Sequence, residues 1–528
     1  MSRCNETFKH WAGGPLHQIQ MSGLSKTRQG QRFANLPPSC VLLCIASLAA
    51  LLAAGCAVGP NFKTPAPPPV ANYTGHSLPD TVTTTNVAGG EAQRFANGGD
   101  LAGDWWTLFH SRPLNELIQL SLSNNPDLKA AQAALLVARE NVLAQRGVYY
   151  PAVTGSFSAT RQKQAGTLAP VPNSNTFQYN LFTPQVSVSY SPDVFGLNRR
   201  TMESVKAQEQ AVRFQMIATY TTLTANVVVT AIQAAAVQAQ IDATRQLVVL
   251  NSNMLEILRY QYLKGYAGRL DVVAQESQLA QVNATLPPLL KQSAQLRDQL
   301  TVLAGGFPNQ APLEKFALSD LRLPLDIPVS LPSQLVAQRP DVLQAEANLH
   351  AATAQIGIAM ANRLPNLTLT ADAGSTALSI DKLFSSGTGF WGLGAAATAP
   401  LFQGGQLLHQ ERAAKAACVE AAEQYRGTVL TAFQNVADTL TALAQDAEGL
   451  QAAATAADDA RETLDLSQRQ WKDGYISYLA LLSAEQAWQQ ARINLVQAQA
   501  GRYADTAALF QALGGGWWHH ADLISEKK

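Results

Sequence analysis

The sequence predicts a mainly α-helical fold with a few β-strands, built as two tandem copies of one unit of about 200 residues. Three observations predict it. Motifs recur at nearly constant spacing. Two stretches of about 69 residues, Gly196 to Lys264 and Gly404 to Asp473, contain no internal proline. Short segments of alternating polarity precede each of them.

The repetition is the firmest of these. Asn125-Pro126-Asp127-Leu128 returns as Arg339-Pro340-Asp341-Val342, an offset of 214 that also relates Pro151 to Pro365. Pro192 pairs with Pro400 at 208. Gly265-Tyr266 pairs with Gly474-Tyr475 at 209, and that offset holds through Glu276/Glu485 to Gly305-Gly306/Gly514-Gly515. The length differences fall between Pro151 and Pro192, where the first copy carries six extra residues.

Each copy opens with a helical stretch, 114–148 and 332–362, whose Pro-Asp pair suits a helix N-terminus. After Pro151 and Pro365 the period falls to two. Ala152–Ala159 and Asn366–Ala373 alternate as strands with unlike faces, followed by Gln185–Tyr190 and Phe390–Ala397. The last is poor in strand formers. The long proline-free stretches come next, each about 100 Å if helical. Tyr220, Val227, Ala234, Ile241, Val248, Leu255 and Tyr262 are spaced by seven, one seam of a coiled coil. The partner seam (Leu223, Thr230, Val237, Thr244, Asn251, Leu258) is mixed, so the packing is no simple leucine-rich dimer. A glycine turn leads to return helices over 270–304 and 479–513, the first kinked or broken by Pro287-Pro288.

The N-terminus reads as a targeting segment. Residues 40–55 form an uncharged apolar run, short for a membrane span and preceded by Lys26, Arg28 and Arg32. It ends in Leu52-Ala53-Ala54-Gly55-Cys56, the pattern of a bacterial lipoprotein signal in which Cys56 is lipidated. A start at Met21 gives the leader a more ordinary length.

Charge and chemistry exclude more than they assign. The chain has 38 basic and 38 acidic side chains, and 14% of residues are charged, against about 25% in ordinary domains. Residues 1–55 hold five of the bases and one of the acids, so processing leaves 33 against 37, a net −4. No basic excess exists for nucleic acid. Cys4, Cys40 and Cys44 leave with the leader, and Cys418 remains in an Ala-rich helical stretch as a buried thiol without a disulfide partner. No HExxH, GxSxG or P-loop appears. His519-His520 lacks a ligand cluster at zinc spacing and reads as an exposed tail. No cofactor, metal or catalytic residue is expected.

Four strands cannot close a barrel alone, because the smallest single-chain membrane barrels have eight. Strands that enter a membrane therefore demand oligomerisation: two chains supply eight, three supply twelve and leave a lumen.

The layout and motifs resemble the TolC-type outer-membrane efflux channels, in the lipoprotein branch paired with RND pumps. The residues carrying this are Cys56-Ala-Val-Gly-Pro-Asn-Phe-Lys-Thr-Pro65, Trp105-Trp-Thr-Leu-Phe109 with Leu114-Asn-Glu-Leu-Ile118, Leu331-Pro-Ser-Gln-Leu335 through Arg339-Pro-Asp341, and Ala512-Leu-Gly-Gly-Gly-Trp517. Ser111 stands where the family usually has an acid. The resemblance implies a homotrimer, with a twelve-stranded outer-membrane barrel on a coiled-coil α-helical periplasmic tunnel. It divides the chain into a leader (1–55), a lipid-anchored extension (56–103), repeat one (104–312), a linker (313–331), repeat two (332–516) and a tail (517–528). It places Gly265, Tyr266 and Ala267, and Gly474, Tyr475 and Ile476, at a periplasmic tip that touches an adaptor protein beneath an inner-membrane RND-type pump. Relatives carry a gating carboxylate ring where Ala480 and Ser483 stand here. Asp473, Glu485 or the aromatic Trp471 and Tyr475 are the remaining gate candidates, against the plainer reading of the two acids as solvated helix residues. The implied function is passive export of small molecules. The same architecture serves type I protein secretion, and a non-conducting periplasmic helical lipoprotein is the rival of another class.

Overall fold

The computed structural model describes residues 57–75, 80–163, 165, 178–309 and 316–524. The leader, Cys56 and Met21 lie outside them.

The elements, in order, are β1 (Arg94–Asn97), α1 (Arg112–Asn124), α2 (Pro126–Arg146), β2 (Ala152–Lys163), β3 (Gln178–Tyr190), α3 (Leu197–Leu263), α4 (Arg269–Leu303), β4 (Asp326–Val329), α5 (Pro332–Gln338), α6 (Pro340–Ala361), β5 (Asn366–Ser375), β6 (Gly389–Thr398), α7 (Gln406–Lys472), α8 (Tyr478–Ala512) and the single turn α9 (Ala521–Ile524). Both long helices have 67 residues and both return helices 35. The helix bounds of the second hairpin are those of the first shifted by 209 residues at every end.

Two compact units form, each from pieces of both copies. One contains the described residues up to Lys63, with 140–208 and 348–423; the other contains 64–139, 209–347 and the chain from 424 on.

The first unit holds the antiparallel sheet, in the order β2-β3-β5-β6. Pairing runs Ala152↔Ser189 to Lys163↔Gln178, Gln185↔Gly374 to Tyr190↔Leu369, and Asn366↔Thr398 to Ser375↔Gly389. β3 starts well before the expected Gln185. Pro184 interrupts the pairing on the β5 side: Phe182 and Ala377 exchange hydrogen bonds before it, and the continuous ladder begins after it at Gln185. The residues just after Cys56 are clamped in this unit. Arg200 is buried and donates to the carbonyls of Val58 and Gly59 at 3.0 and 3.1 Å and to Asn61 Oδ1 at 2.8 Å. Gly59 has φ +94°, and a Cβ there would sit 2.5 Å from the Gly357 backbone. Phe62 stacks on His350 at 4.3 Å.

The second unit holds the largest apolar core. Trp105, Phe109, Tyr503 and Phe510 form an aromatic centre, with Leu114, Ile118, Leu335 and Val342 packed into it. Of the motifs that carried the resemblance, Trp105, Trp106, Phe109, Leu114, Leu117, Ile118 and Leu335 are therefore core residues. Both coiled-coil seams of α3 are largely buried, and the seam ends exposed at Tyr262. The polar members of the mixed seam are accommodated locally: Thr244 Oγ1 donates to Gln240 O at 2.8 Å and Asn251 Nδ2 to Leu247 O at 2.9 Å.

Four expectations need correction. The strand count is six among the described residues, since β1 and β4 form a separate parallel pair. Each opening helix is two helices. Pro126 and Pro340 drive the preceding residue out of the α region (Asn125 ψ 126°, Arg339 ψ 123°). Asn125 then caps α2, its Oδ1 accepting from Asp127 N at 2.9 Å and Leu128 N at 3.1 Å. Pro287-Pro288 do not break α4. The carbonyls they leave unbonded, at Asn283 and Ala284, belong to exposed residues open to water. The segment after Gly516 is not a free tail. Trp517 Nε1 donates to Gln338 O at 2.7 Å, His519 pairs with Asp100 at 2.8 Å, His520 meets the Tyr220 hydroxyl at 3.1 Å, and Leu523 is buried. Of these only His519 remains exposed.

Candidate functional site: a two-faced sheet and two helical turns

The sheet has two unlike faces. Register aligns Val153 with Val188, Phe157 with Pro184 and Ala159 with Phe182. It continues through Val186↔Ala373 and Tyr190↔Leu369, then Ala371↔Leu393 and Ala373↔Trp391. Every one of these residues is apolar. The opposite face carries Thr154↔Ser187, Ser156↔Gln185, Ser189↔Thr370 and Asp372↔Gly392. Val153, Phe157, Val186, Trp391 and Leu393 are exposed on the apolar face. A soluble sheet buries its apolar face. Alternation of apolar and polar residues with the apolar face uncovered is the pattern of a membrane strand, apolar toward lipid and polar toward a lumen. β2 and β6 end the sheet with unpaired edges.

The turns lie at the other chemical extreme. Gly265 and Gly474 have φ +82° and +80°, with nothing within 4 Å of where a Cβ would stand. Glycine is needed for the backbone angle and not for space. Each turn closes the same way: Tyr266 N donates to Gln261 O and Tyr475 N to Gln470 O, both at 2.8 Å. Tyr266 is 84% exposed and Tyr475 80%. Ala267 packs on the adjoining apolar cluster, and Ile476 is half-buried. The caps that follow differ. In the first copy Asp271 Oδ2 reaches back to accept from Gly268 N at 3.1 Å; in the second Ser477 Oγ accepts from Ala480 N at 3.4 Å.

The gate candidates separate. Asp473 is exposed. Trp471 is half-buried, edge-on to Tyr478 with centroids 5.9 Å apart. Glu485 is not a solvated helix residue; it is 2% exposed, and burial pushes its carboxyl up to about 7. A buried polar network beside it was missed in the sequence. The Tyr478 hydroxyl donates to Gln275 Oε1, and Gln275 Nε2 donates to Asn251 O at 2.8 Å. A second buried group, Arg502, donates to Gly89 O at 2.7 Å, Glu91 O at 2.6 Å and Thr81 Oγ1 at 2.9 Å, tying residues 81–91 to α8. Near it Asp446 is pushed up to about 7 by burial and by the neighbouring acid Asp505, with Arg502 opposing. Among the described residues no group of three or more His, Cys, Asp or Glu is placed to hold a metal.

An uncovered two-faced sheet carried with long helical hairpins defines an outer-membrane transport component. The chain belongs to the outer membrane efflux protein family, whose model matches residues 117–306 and 331–515, once over each copy. It is similar to the probable efflux pump outer membrane protein TtgC of Pseudomonas putida, 31% identical over 91% of this chain and 97% of the relative. It is also similar to the antibiotic efflux pump outer membrane protein ArpC of Pseudomonas putida, 30% identical over 91% and 97%. Among solved structures, the outer-membrane channel OprN aligns with a TM-score of 0.78 at 25% identity, covering 88% of this chain and all of that one. The protein is an outer-membrane efflux component, located in the outer membrane.

Proposed function

We propose that three copies of this chain form a passive export duct. The observation that carries the reading is the sheet: four strands, one lipid-compatible face, one polar face and two unpaired edges. β6 of one copy pairs with β2 of the next, and three sheets close a twelve-stranded barrel around the polar face. Cys56 is lipidated, and the clamp on Val58–Asn61 holds the chain next to that anchor. The exposed turns Gly265-Tyr266-Ala267 and Gly474-Tyr475-Ile476 meet a periplasmic adaptor, which joins the duct to an inner-membrane RND-type pump. Asp473 and Trp471 stand at the entrance to the duct. No residue does chemistry, and transport energy comes from the pump. The antibiotic-efflux name of ArpC supports small-molecule cargo over secreted protein.

The test is a cysteine pair across the inferred seam, Ala396→Cys with Thr154→Cys, both on the polar face of the sheet, in outer-membrane fractions. A disulfide ladder ending at the trimer, with heat-sensitive migration of the unboiled protein, is the expected result. A monomer extracted without detergent overturns the reading. Loss of cation sensitivity of single-channel conductance in Asp473→Ala assigns that residue to the entrance, and unchanged conductance removes it.

A further inference from the structure

The second hairpin buries an acid that the first leaves half-exposed and paired. Tyr478, Leu481, Glu485 and Trp488 are spaced as one stripe along α8. Tyr478, Leu481 and Glu485 are buried, and this stripe joins the apolar cluster of Met254, Leu255 and Leu258 from α3 and Leu464 from α7. Both Glu485 carboxyl oxygens are buried, and neither has a hydrogen-bond partner.

The duplication shows what is missing. Glu276, the equivalent of Glu485, accepts from Arg259 Nη2 at 2.9 Å. The α7 residue equivalent to Arg259 is Gln468. The second copy has the acid without the base.

No other cation replaces it. On its own helix Glu485 has the neutral phenol Tyr478, whose hydroxyl already serves Gln275, and Arg492, which donates to Gln246 at 2.8 Å and stacks over Trp488. From α4 the facing groups are Val272, Gln275, Gln278 and, beside Tyr478, the acid Asp271. Arg269 is exposed. From α7 they are Leu464 and Trp471, while Arg461, Asp465 and Arg469 are exposed. From α3 they are Asn251, Met254, Leu255 and Leu258, while Glu256 is exposed and Arg259 is engaged with Glu276. A charge on Glu485 thus meets an apolar wall and neutral polar side chains, with burial the cause of its shift. A buried carboxylate so placed must take up a proton or admit water.

We propose that Glu485 is a proton switch inside the second tip. Protonated, it packs between α8 and its neighbours. Ionised, it loosens the start of α8 from α4 and α7 and lets water in. Burial raises the carboxyl to about 7 from its ordinary 4.5. The folded tip therefore holds this proton more tightly than the unfolded chain does. Its contribution to packing is complete below the ordinary carboxylate range, is lost as pH rises toward 7, and stays lost above it. The two tips of one chain then respond differently to acid, since the Arg259 partner holds Glu276 below the usual range.

The packing statement stands on the tip alone; its expression as a change in conductance rests on the duct proposed above. The experiment compares the full-length wild type with Glu485→Gln, a neutral isostere, and with Gln468→Arg, which supplies the base the first copy has. Hydrogen exchange over Tyr478–Ala491, corrected for intrinsic rates, is read at about pH 5.5 and about pH 8. Wild-type protection is expected to fall about tenfold across that interval and to hold constant in both variants. Protection in the wild type that does not change with pH overturns the switch, as does an equal loss in Glu485→Gln. Planar-bilayer conductance should rise over the same interval in the wild type and stay flat in Glu485→Gln. Absence of current at every pH in all three proteins overturns the duct and leaves exchange to decide the switch.

Discussion

At the first turn Tyr262, Leu263, Tyr266 and Leu270 are all exposed, and Arg269 stands in solvent. At the equivalent places in the second turn are Trp471, Lys472, Tyr475, Leu479 and Tyr478. Two of these five, Trp471 and Tyr478, have moved inward and face each other. The backbone is common to both turns; the difference lies in where the aromatic surface points. The first tip leaves its apolar area in solvent, while the second uses part of its own for internal packing and brings a polar network and an acid in with it. A duplicated hairpin can keep its geometry through two glycines and still diverge in burial through a few side chains.

The comparison is most strained by truncating the aromatic that moved. Tyr478→Ala should cost about 3–5 kcal/mol, because a large buried side chain is lost and Gln275 loses its donor. Tyr266→Ala, at an exposed position, should leave thermal stability within about 0.5 kcal/mol while weakening adaptor pull-down. Equal losses of stability in the two variants would contradict the burial difference. Next in size, Gly474→Ala and Gly265→Ala should each cost about 1–2 kcal/mol, since their left-handed angles are nearly the same. Unequal melting shifts would show that the two backbones are not held alike. The smallest effect belongs to Arg259→Gln. That pair is solvent-exposed, so stability should change by less than about 0.5 kcal/mol. It should nevertheless return the Glu276 titration, followed by NMR, toward the ordinary carboxylate value.

Much of this fold was legible in the sequence, for a physical reason. Helix length follows from unbroken periodicity and absent proline, so α3, α7 and the return helices fell within one or two residues of their observed ends. The splits at Asn125 and Arg339 were hidden because apolar spacing continues across them; the signal was the proline already noted in each motif. β1 and β4, only four residues each, carry too little alternation to register and are parallel partners far apart in sequence. The turn residues stood out through glycine. Glu485 was readable in principle, at helical spacing from Tyr478, Leu481 and Trp488, but an acid on a core face is rare enough that solvation is the ordinary reading. The docked end of the chain was missed because Trp517, Trp518 and His520 follow a glycine run that looks like a terminus.

The sheet joins β3 to β5, and between those strands the chain first runs through all of α3, α4 and α6. The clamp adds a second long closure, since Gly59 meets Gly357. Neither contact can form while the ribosome is still making the first copy. Until β5 has been made, β3 has no partner on that side, and a β2–β3 hairpin alone would have an open edge and an uncovered apolar face. Such an intermediate is slow to resolve and prone to stick to others like it. A folding catalyst that shields hairpins in transit should matter more to the yield of this protein than to its final stability.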